Sequence, residues 1–172
     1  NSFVVHTSGS VEMKALKNSG TKGVFYPLQT FSKEKEIDFT QIPFCLEAEN
    51  QSDLSILETL VSLLQGKIYH INSVQRKSIH VAAVFVNNFT NHMYVIAHDI
   101  CKQYDVPFDI LEPLIQETSQ KIKNISPKEA QTGPAKRNDT ETIHNHLNLL
   151  TQSQQDIYLK ITQSIQEHGK KL

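Results

Sequence analysis

The sequence predicts an α/β layer followed by an all-α unit, and three observations carry that prediction. Short apolar runs rich in Val, Ile and aromatic residues alternate with polar and helical stretches as far as residue 71. After Asn72 the strand pattern stops, and residues 74–104 form a helical pattern without an internal Gly or Pro. The rest of the chain reads as further helices separated by polar turns. Strands alternating with helices favour an α/β layer with a mainly parallel sheet. Residues 1–72 are therefore expected to form the α/β part and residues 73–172 the helical part.

Residues 3–6 read as a strand, 11–17 as a short helix closed by Asn18-Ser19-Gly20, and 23–26 as a second strand. A polar loop follows over 28–41, then a third apolar run over 42–46. Ser52-Asp53 is expected to cap a helix whose apolar positions are Leu54, Leu57, Leu60, Val61 and Leu64. Gly66 ends that helix and 67–71 is a fourth strand. Beyond the long helical stretch, Asp105-Val106-Pro107 makes a turn and 109–123 a helix with Pro113 in its first turn. Residues 126–138 read as a polar loop, and 140–150 and 154–166 as two more helices.

Composition narrows the function. The 172 residues, 38% hydrophobic, suffice for one ordinary domain or two small ones. With 17 basic and 18 acidic residues, dispersed along the chain, there is no field to hold nucleic acid. The longest uncharged stretch, 81–98, is broken by Asn87, Asn88, Thr90, Asn91 and His92, so no membrane span is expected. Cys45 and Cys101 read as free thiols of a reducing compartment, which points to the cytoplasm. The sequons at Asn50, Asn88, Asn124 and Asn138 are read as chance. His144 and His146 lie two apart, on different helix faces, and no metal site is expected. The six glycines form no G-x-G-x-x-G. The chain opens at Asn1 almost directly on a strand, so it is expected to be the later part of a longer protein.

Two groups of residues are candidates for chemistry. One strand ends in His6, Thr7, Ser8 and Gly9, the next in Pro27, Leu28, Gln29 and Thr30. Open α/β sheets bind ligands beyond the carboxyl ends of their strands. If the two strands are parallel neighbours, both polar ends rim one crevice. The competing reading is that Thr7 and Ser8 cap the next segment and that Gln29 and Thr30 serve loop backbone groups. The second group is Arg76, His80, Asn87 and Asn91, spaced four, seven and four apart, hence on one face of a helix. A lone histidine is most often a satisfied core residue, but four aligned polar residues favour a site. A third cluster, Thr132, Gly133, Pro134, Arg137, Asp139, Thr142 and His146, reads as structural, with Asp139 as a helix N-cap.

The succession HTSGS (6–10), YPLQTFS (26–32), IPFCLEA (42–48), RKSIHVAAVFVNNF (76–89) and TGPAKRNDTETIHNHL (132–147) resembles the later two-thirds of a bacterial group of proposed NADP-dependent oxidoreductases. Their N-terminal part is Rossmann-like, and their helical C-terminal domain, of unknown function, is similar to those of 6-phosphogluconate dehydrogenase and pyrroline-5-carboxylate reductase. The family pattern has His where Tyr26 stands and favours Gly where Asn138 stands. The resemblance implies that the glycine-rich phosphate loop lies ahead of the HTSG strand. It implies NADP as cofactor (NAD possible), with His6, Thr7, Ser8, Gly9, Pro27, Gln29 and Thr30 on the cofactor side. A small carbonyl, hydroxy or imine substrate would bind between the α/β and helical parts. Arg76-x-x-x-His80 sits where the β-hydroxyacid dehydrogenases carry Lys-x-x-x-Asn. By that analogy Arg76 stabilises a developing oxyanion, His80 donates a proton and Asn87 shares their face. The alternative is a non-catalytic nucleotide-binding or dimerisation module. A homodimer through the helical part is expected on either reading, because the apolar surface of 81–100 exceeds what one short bundle needs.

Overall fold

The computed structural model describes residues 2–34 and 36–169. Four strands, β1 (Val4–His6), β2 (Lys22–Pro27), β3 (Pro43–Ala48) and β4 (Lys67–His70), form one sheet in the order β1-β2-β3-β4. β1 pairs parallel to β2 with His6 opposite Val24, β3 pairs parallel to β4 with Cys45 opposite Tyr69, and β2 and β3 are antiparallel with Phe25 opposite Leu46. The sheet is thus mostly parallel, as expected. Residues 7–21 and 28–42, each holding one 3₁₀ turn, join β1 to β2 and β2 to β3, and the second parallel pair has a helical crossover. Between β3 and β4 that crossover is helix α1 (Gln51–Leu63).

The core of this layer is built from β3 and α1. Ile42, Phe44, Leu46, Leu57 and Val61 are all but fully buried and pack as one cluster, with Phe3, Phe25, Phe39, Leu54 and Leu64 around them. Leu57 and Val61 lie four apart, one turn of a single helix face, as the apolar spacing requires. Leu60, predicted on the same face, is instead exposed. The cap of α1 is Asn50 rather than Ser52-Asp53: its side chain accepts from the Asp53 N–H at 2.9 Å. The chain leaves α1 through Gln65 at φ +56°, and Gly66 follows. A Cβ on Gly66 would lie 2.4 Å from the Phe44 ring, so close packing demands glycine there. The helix expected over 11–17 shrinks to one 3₁₀ turn, Met13–Ala15. Seven residues are too few to offset helix nucleation, and the Met13 N–H is taken by Ser73 Oγ at 3.1 Å.

Helix α2 (Ser73–Ala83) starts in a capping box between Asn72 and Gln75. A π-helical turn, Val84–Phe89, continues it, and α3 (Thr90–Gln103) follows. The strand pattern does end at Asn72, but the first compact unit extends to Thr90 and the second begins at Asn91. Side chains of α2 reach back to the sheet (below), which accounts for its place in the first unit.

The second unit contains α3, α4 (Glu112–Lys121) with Pro113 in its first turn, α5 (Pro127–Ala130), α6 (Pro134–Arg137), α7 (Thr140–Leu147) and α8 (Gln152–Gly169). The loop predicted over 126–138 holds two single-turn helices. Ser126 and Glu129 form a capping box at α5. Helix α6 is entered at Gly133 with φ +100° and left at Asn138 with φ +53°. Asn is the non-glycine residue best suited to that left-handed position, where the resembling family favours Gly. Asp139 caps α7 as expected, accepting from the Thr142 N–H at 3.0 Å and the Thr142 hydroxyl at 2.8 Å.

Candidate functional site

Because β1 and β2 are parallel neighbours, their polar carboxyl ends do lie at one edge of the sheet. The two ends behave differently there. After β1 the chain folds on itself: His6 Nδ1 accepts from the Ser8 N–H at 3.1 Å, and Ser8 Oγ accepts from the Ser10 and Val11 N–H groups at 3.3 and 3.2 Å. Nε2 of His6 is buried without a hydrogen-bond partner. Burial first, and the Arg76 guanidinium second, hold the His6 pKa below its ordinary value, while the Glu12 backbone and Glu47 pull weakly the other way. Thr7 is exposed and Gly9 buried. After β2, the Leu28 N–H bonds Pro43 O at 2.8 Å, and Gln29 Oε1 accepts from the Thr30 N–H at 2.9 Å. The loop-satisfying reading thus holds for Ser8 and in part for Gln29.

Arg76 sits where its position one turn into α2 points it at the sheet, and it is 0% exposed. Its Nη1 donates to Glu47 Oε2 on β3 at 2.5 Å, Nε to Ser8 O at 3.2 Å, and Nη2 to Val11 O at 2.7 Å and Ser73 Oγ at 3.1 Å. A buried charge requires such partners. The guanidinium is therefore committed to the fold and does not line the cavity described next. That is at odds with the expected oxyanion contact: Arg76 clamps the loop after β1.

One turn further along α2, His80 meets Tyr26 from the end of β2. Tyr26 Oη and His80 Nδ1 are 3.2 Å apart, and the rings meet edge-on with centroids 6.3 Å apart. Both line a cavity of about 530 Å³ whose other walls are Leu28, Gln29 and Thr30 from the turn after β2 and residues from Ile79 to Asn88, including Ala83, Val84, Asn87 and Asn88. Of the sequence candidates, the structure brings together Gln29, Thr30, His80 and Asn87. His6, Thr7, Ser8, Gly9 and Pro27 stand outside the lining, though Gly9 packs behind the Tyr26–His80 pair. Asn91 lies in the second compact unit. The π-helical turn widens the helix between His80 and Asn91, so spacing counted at 3.6 residues per turn loses phase there.

Sequence reasoning missed Tyr26 and Asn88. Tyr26 reads in the sequence only as the end of the second strand; its position directly before Pro27 is the signal that could have marked it. A smaller cavity of about 270 Å³ shares Gln29 and Thr30 and adds Ser32, Glu36, Ile37, Asp38, Gln41 and Ile42. Cys45 is a buried free thiol whose pKa burial pushes up, with Arg76 opposing, which disfavours its thiolate. In the second unit a related pair, His146 Nδ1 and Tyr158 Oη at 2.9 Å, is exposed. Among the described residues no group of three or more His, Cys, Asp or Glu is placed to hold a metal ion, and no helix is long and apolar enough to cross a membrane.

Comparison with known proteins shows what the chain is similar to. The model of a family described as a "domain of unknown function (DUF2520)" matches residues 42–165. A crystal structure from Bacteroides fragilis, described as that of a "putative NADP oxidoreductase", matches 96% of the chain at 46% identity with a TM-score of 0.91, and the chain spans 65% of that protein's length. A Thermotoga maritima protein matches 96% of the chain at 24% identity with a TM-score of 0.76, over 68% of its own length, a likeness of fold alone. No protein of curated function matches the chain.

Proposed function

The chain belongs to that family of domains of unknown function, and from this premise we propose that it is part of a nicotinamide-dependent oxidoreductase acting on a small carbonyl, hydroxy or imine compound. The observation that carries the reading is the 46% identity, over 96% of this chain, to a protein described as a "putative NADP oxidoreductase". The cavity at the carboxyl end of β2 supports it. Ligands of open α/β sheets bind at such ends, and about 530 Å³ is room for a nicotinamide ring with a small substrate.

The residues present fit the nicotinamide end of the coenzyme. The amides of Gln29, Asn87 and Asn88 and the hydroxyl of Thr30 can bond a carboxamide, and Ala83 and Val84 can cover a ring face. No residue here offers the glycine turn that a pyrophosphate needs. In this reading the coenzyme's phosphates are held by the part of the full-length protein corresponding to the portion of the Bacteroides fragilis chain that this sequence does not span. When bound, the coenzyme supplies or accepts the hydride. His80 handles the proton at the cavity, and Arg76 holds the loop that backs it.

The test is a titration of NADPH into the full-length protein, followed by coenzyme fluorescence. Binding, with NADPH preferred over NADH, and NADPH consumption with small aldehydes, ketones or cyclic imines are the expected results. No binding and no consumption across that panel overturns the reading in favour of a non-catalytic module.

A second reading concerns assembly and rests on a separate observation. Along the helical run Val81, Phe85, Val86 and Phe89 are exposed, as are Ile110, Leu114 and Ile122 further on. So much exposed apolar surface is what an obligate partner covers. The partner is proposed to be a second copy of the chain. Sedimentation at micromolar concentration should give a dimer; a monomer ends the proposal.

A further inference from the structure

Tyr26 and His80 are 54 residues apart in sequence, yet Oη and Nδ1 lie 3.2 Å apart and both residues line the cavity. A phenol in that position has one proton and two lone pairs. It can receive from an Nδ1–H while offering its own proton to the cavity. Packing fixes the pair from behind: a Cβ at Gly9 would lie 2.6 Å from His80 Nδ1 and 2.9 Å from Tyr26 Cζ. The loop carrying Gly9 is itself clamped by Arg76 through the Ser8 and Val11 carbonyls. Burial raises the Tyr26 pKa, Cys45 adds to the shift and Arg76 opposes it, so the phenol keeps its proton at neutral pH.

We propose that Tyr26 is the proton donor of this cavity and that His80 recharges it through Nδ1, a division of labour that rests on the oxidoreductase reading above. A reduced nicotinamide coenzyme, when bound, supplies the hydride to the carbonyl or imine carbon. The π electron pair of the substrate then moves to its oxygen or nitrogen, which takes the proton from Tyr26 Oη. The electrons of the broken O–H bond stay on the phenolate oxygen. That oxygen takes the proton from His80 Nδ1, and Nε2 takes one from solvent. The half-buried imidazole ends as its other neutral tautomer, and exchange with water restores it. Oxidation of a hydroxy compound runs the same path backwards.

The relay requires His80 to rest with its proton on Nδ1, the tautomer that free histidine disfavours. Side-chain nitrogen NMR of the histidine-labelled full-length protein, with no coenzyme added, reads this directly. The wild-type protein should show His80 as the Nδ1–H form, reverting to Nε2–H in Tyr26→Phe. Gly9→Ala keeps both side chains but forces them apart and should revert in the same way. A wild-type Nε2–H form means that the phenol proton is spent on Nδ1, and it overturns the relay whatever the turnover. In the NADPH assay with small aldehydes, ketones and cyclic imines, Tyr26→Phe should lower kcat by about 10²-fold or more with KM little changed, and remove the basic limb of the kcat–pH profile. An unchanged kcat overturns the donor role. Absence of wild-type turnover beside a confirmed Nδ1–H form instead defeats the oxidoreductase reading, and the donor role with it.

Discussion

The two compact units solve the problem of stability in opposite ways. The first, ending at Thr90, buries a contiguous cluster from β3 and α1 and seals a buried Arg76–Glu47 ion pair. In the second, the described residues that are buried are Ala135, Ile143 and Thr162, while Ile110 and Leu114 stand 66% and 62% exposed. A sheet covered by a helix on one face can close its own core. Amphipathic helices without a facing layer cannot, and their apolar stripes remain available to a partner. The first unit is therefore expected to close its own core and carry the site, while association covers its exposed Val81, Phe85, Val86 and Phe89 and supplies more of the stability of the second.

The hardest blow to this contrast is Arg76→Ala. It strands Glu47 and frees the Ser8 and Val11 carbonyls, and removing one partner of a buried pair costs about 3–5 kcal/mol. Urea denaturation should show that loss, whereas Arg76→Met with Glu47→Leu should recover the part due to the stranded carboxylate and not the part due to the Ser8 and Val11 carbonyls. Next come matched truncations. Leu57→Ala in the first unit should cost about 2–5 kcal/mol at any protein concentration. Leu114→Ala should change a monomer by less than about 0.5 kcal/mol. If the second unit is covered by a second copy, Leu114→Ala instead weakens a concentration-dependent melting temperature, which sharpens the comparison. A large, concentration-independent loss at Leu114 would break it.

Gly66→Ala is a smaller perturbation. A Cβ 2.4 Å from the Phe44 ring overpacks the same core by about 1–3 kcal/mol, read as a shift of the denaturation midpoint. The smallest effects are titrations, one in each unit. The folded-state pKa of His6 is depressed, so the unfolded chain binds its proton first as pH falls below 6.5. Stability should drop as pH falls through the ordinary histidine value and level off below the folded pKa, and His6→Gln should flatten that limb. Asp139 is an acid with a depressed pKa, held down first by the Thr142 N–H and then by the Thr142 hydroxyl. Its contribution is present above the ordinary carboxylate value and is lost as pH falls through the folded one. Asp139→Asn keeps the cap and should remove only this acid-side loss.

Much of the fold was legible because its signals are local. The strand apolarity of β1 to β4, the apolar spacing of Leu57 and Val61, the cap at Asp139 and the stop before Asn72 each act within a few residues, and each is found in place. Beside the local misplacement of the α1 cap, which is Asn50, two errors lie where a local signal competed with a tertiary one. Residues 11–17 carry helical spacing, but Ser73 takes the Met13 N–H, and Arg76 has helical phase with His80, but a carboxylate across the sheet claims it.

Two polar strand ends and a polar helix face were thus given by the amino-acid order alone. Which of those side chains meet was decided by the tertiary structure. Parallel pairing of β1 with β2 puts both ends at one edge, the Glu47 carboxylate draws Arg76 inward, and the glycine at position 9 leaves just enough space for Tyr26 to reach His80. A hydrogen bond across 54 residues has no signature in either local segment, because only the packing of the helix on the sheet sets its distance.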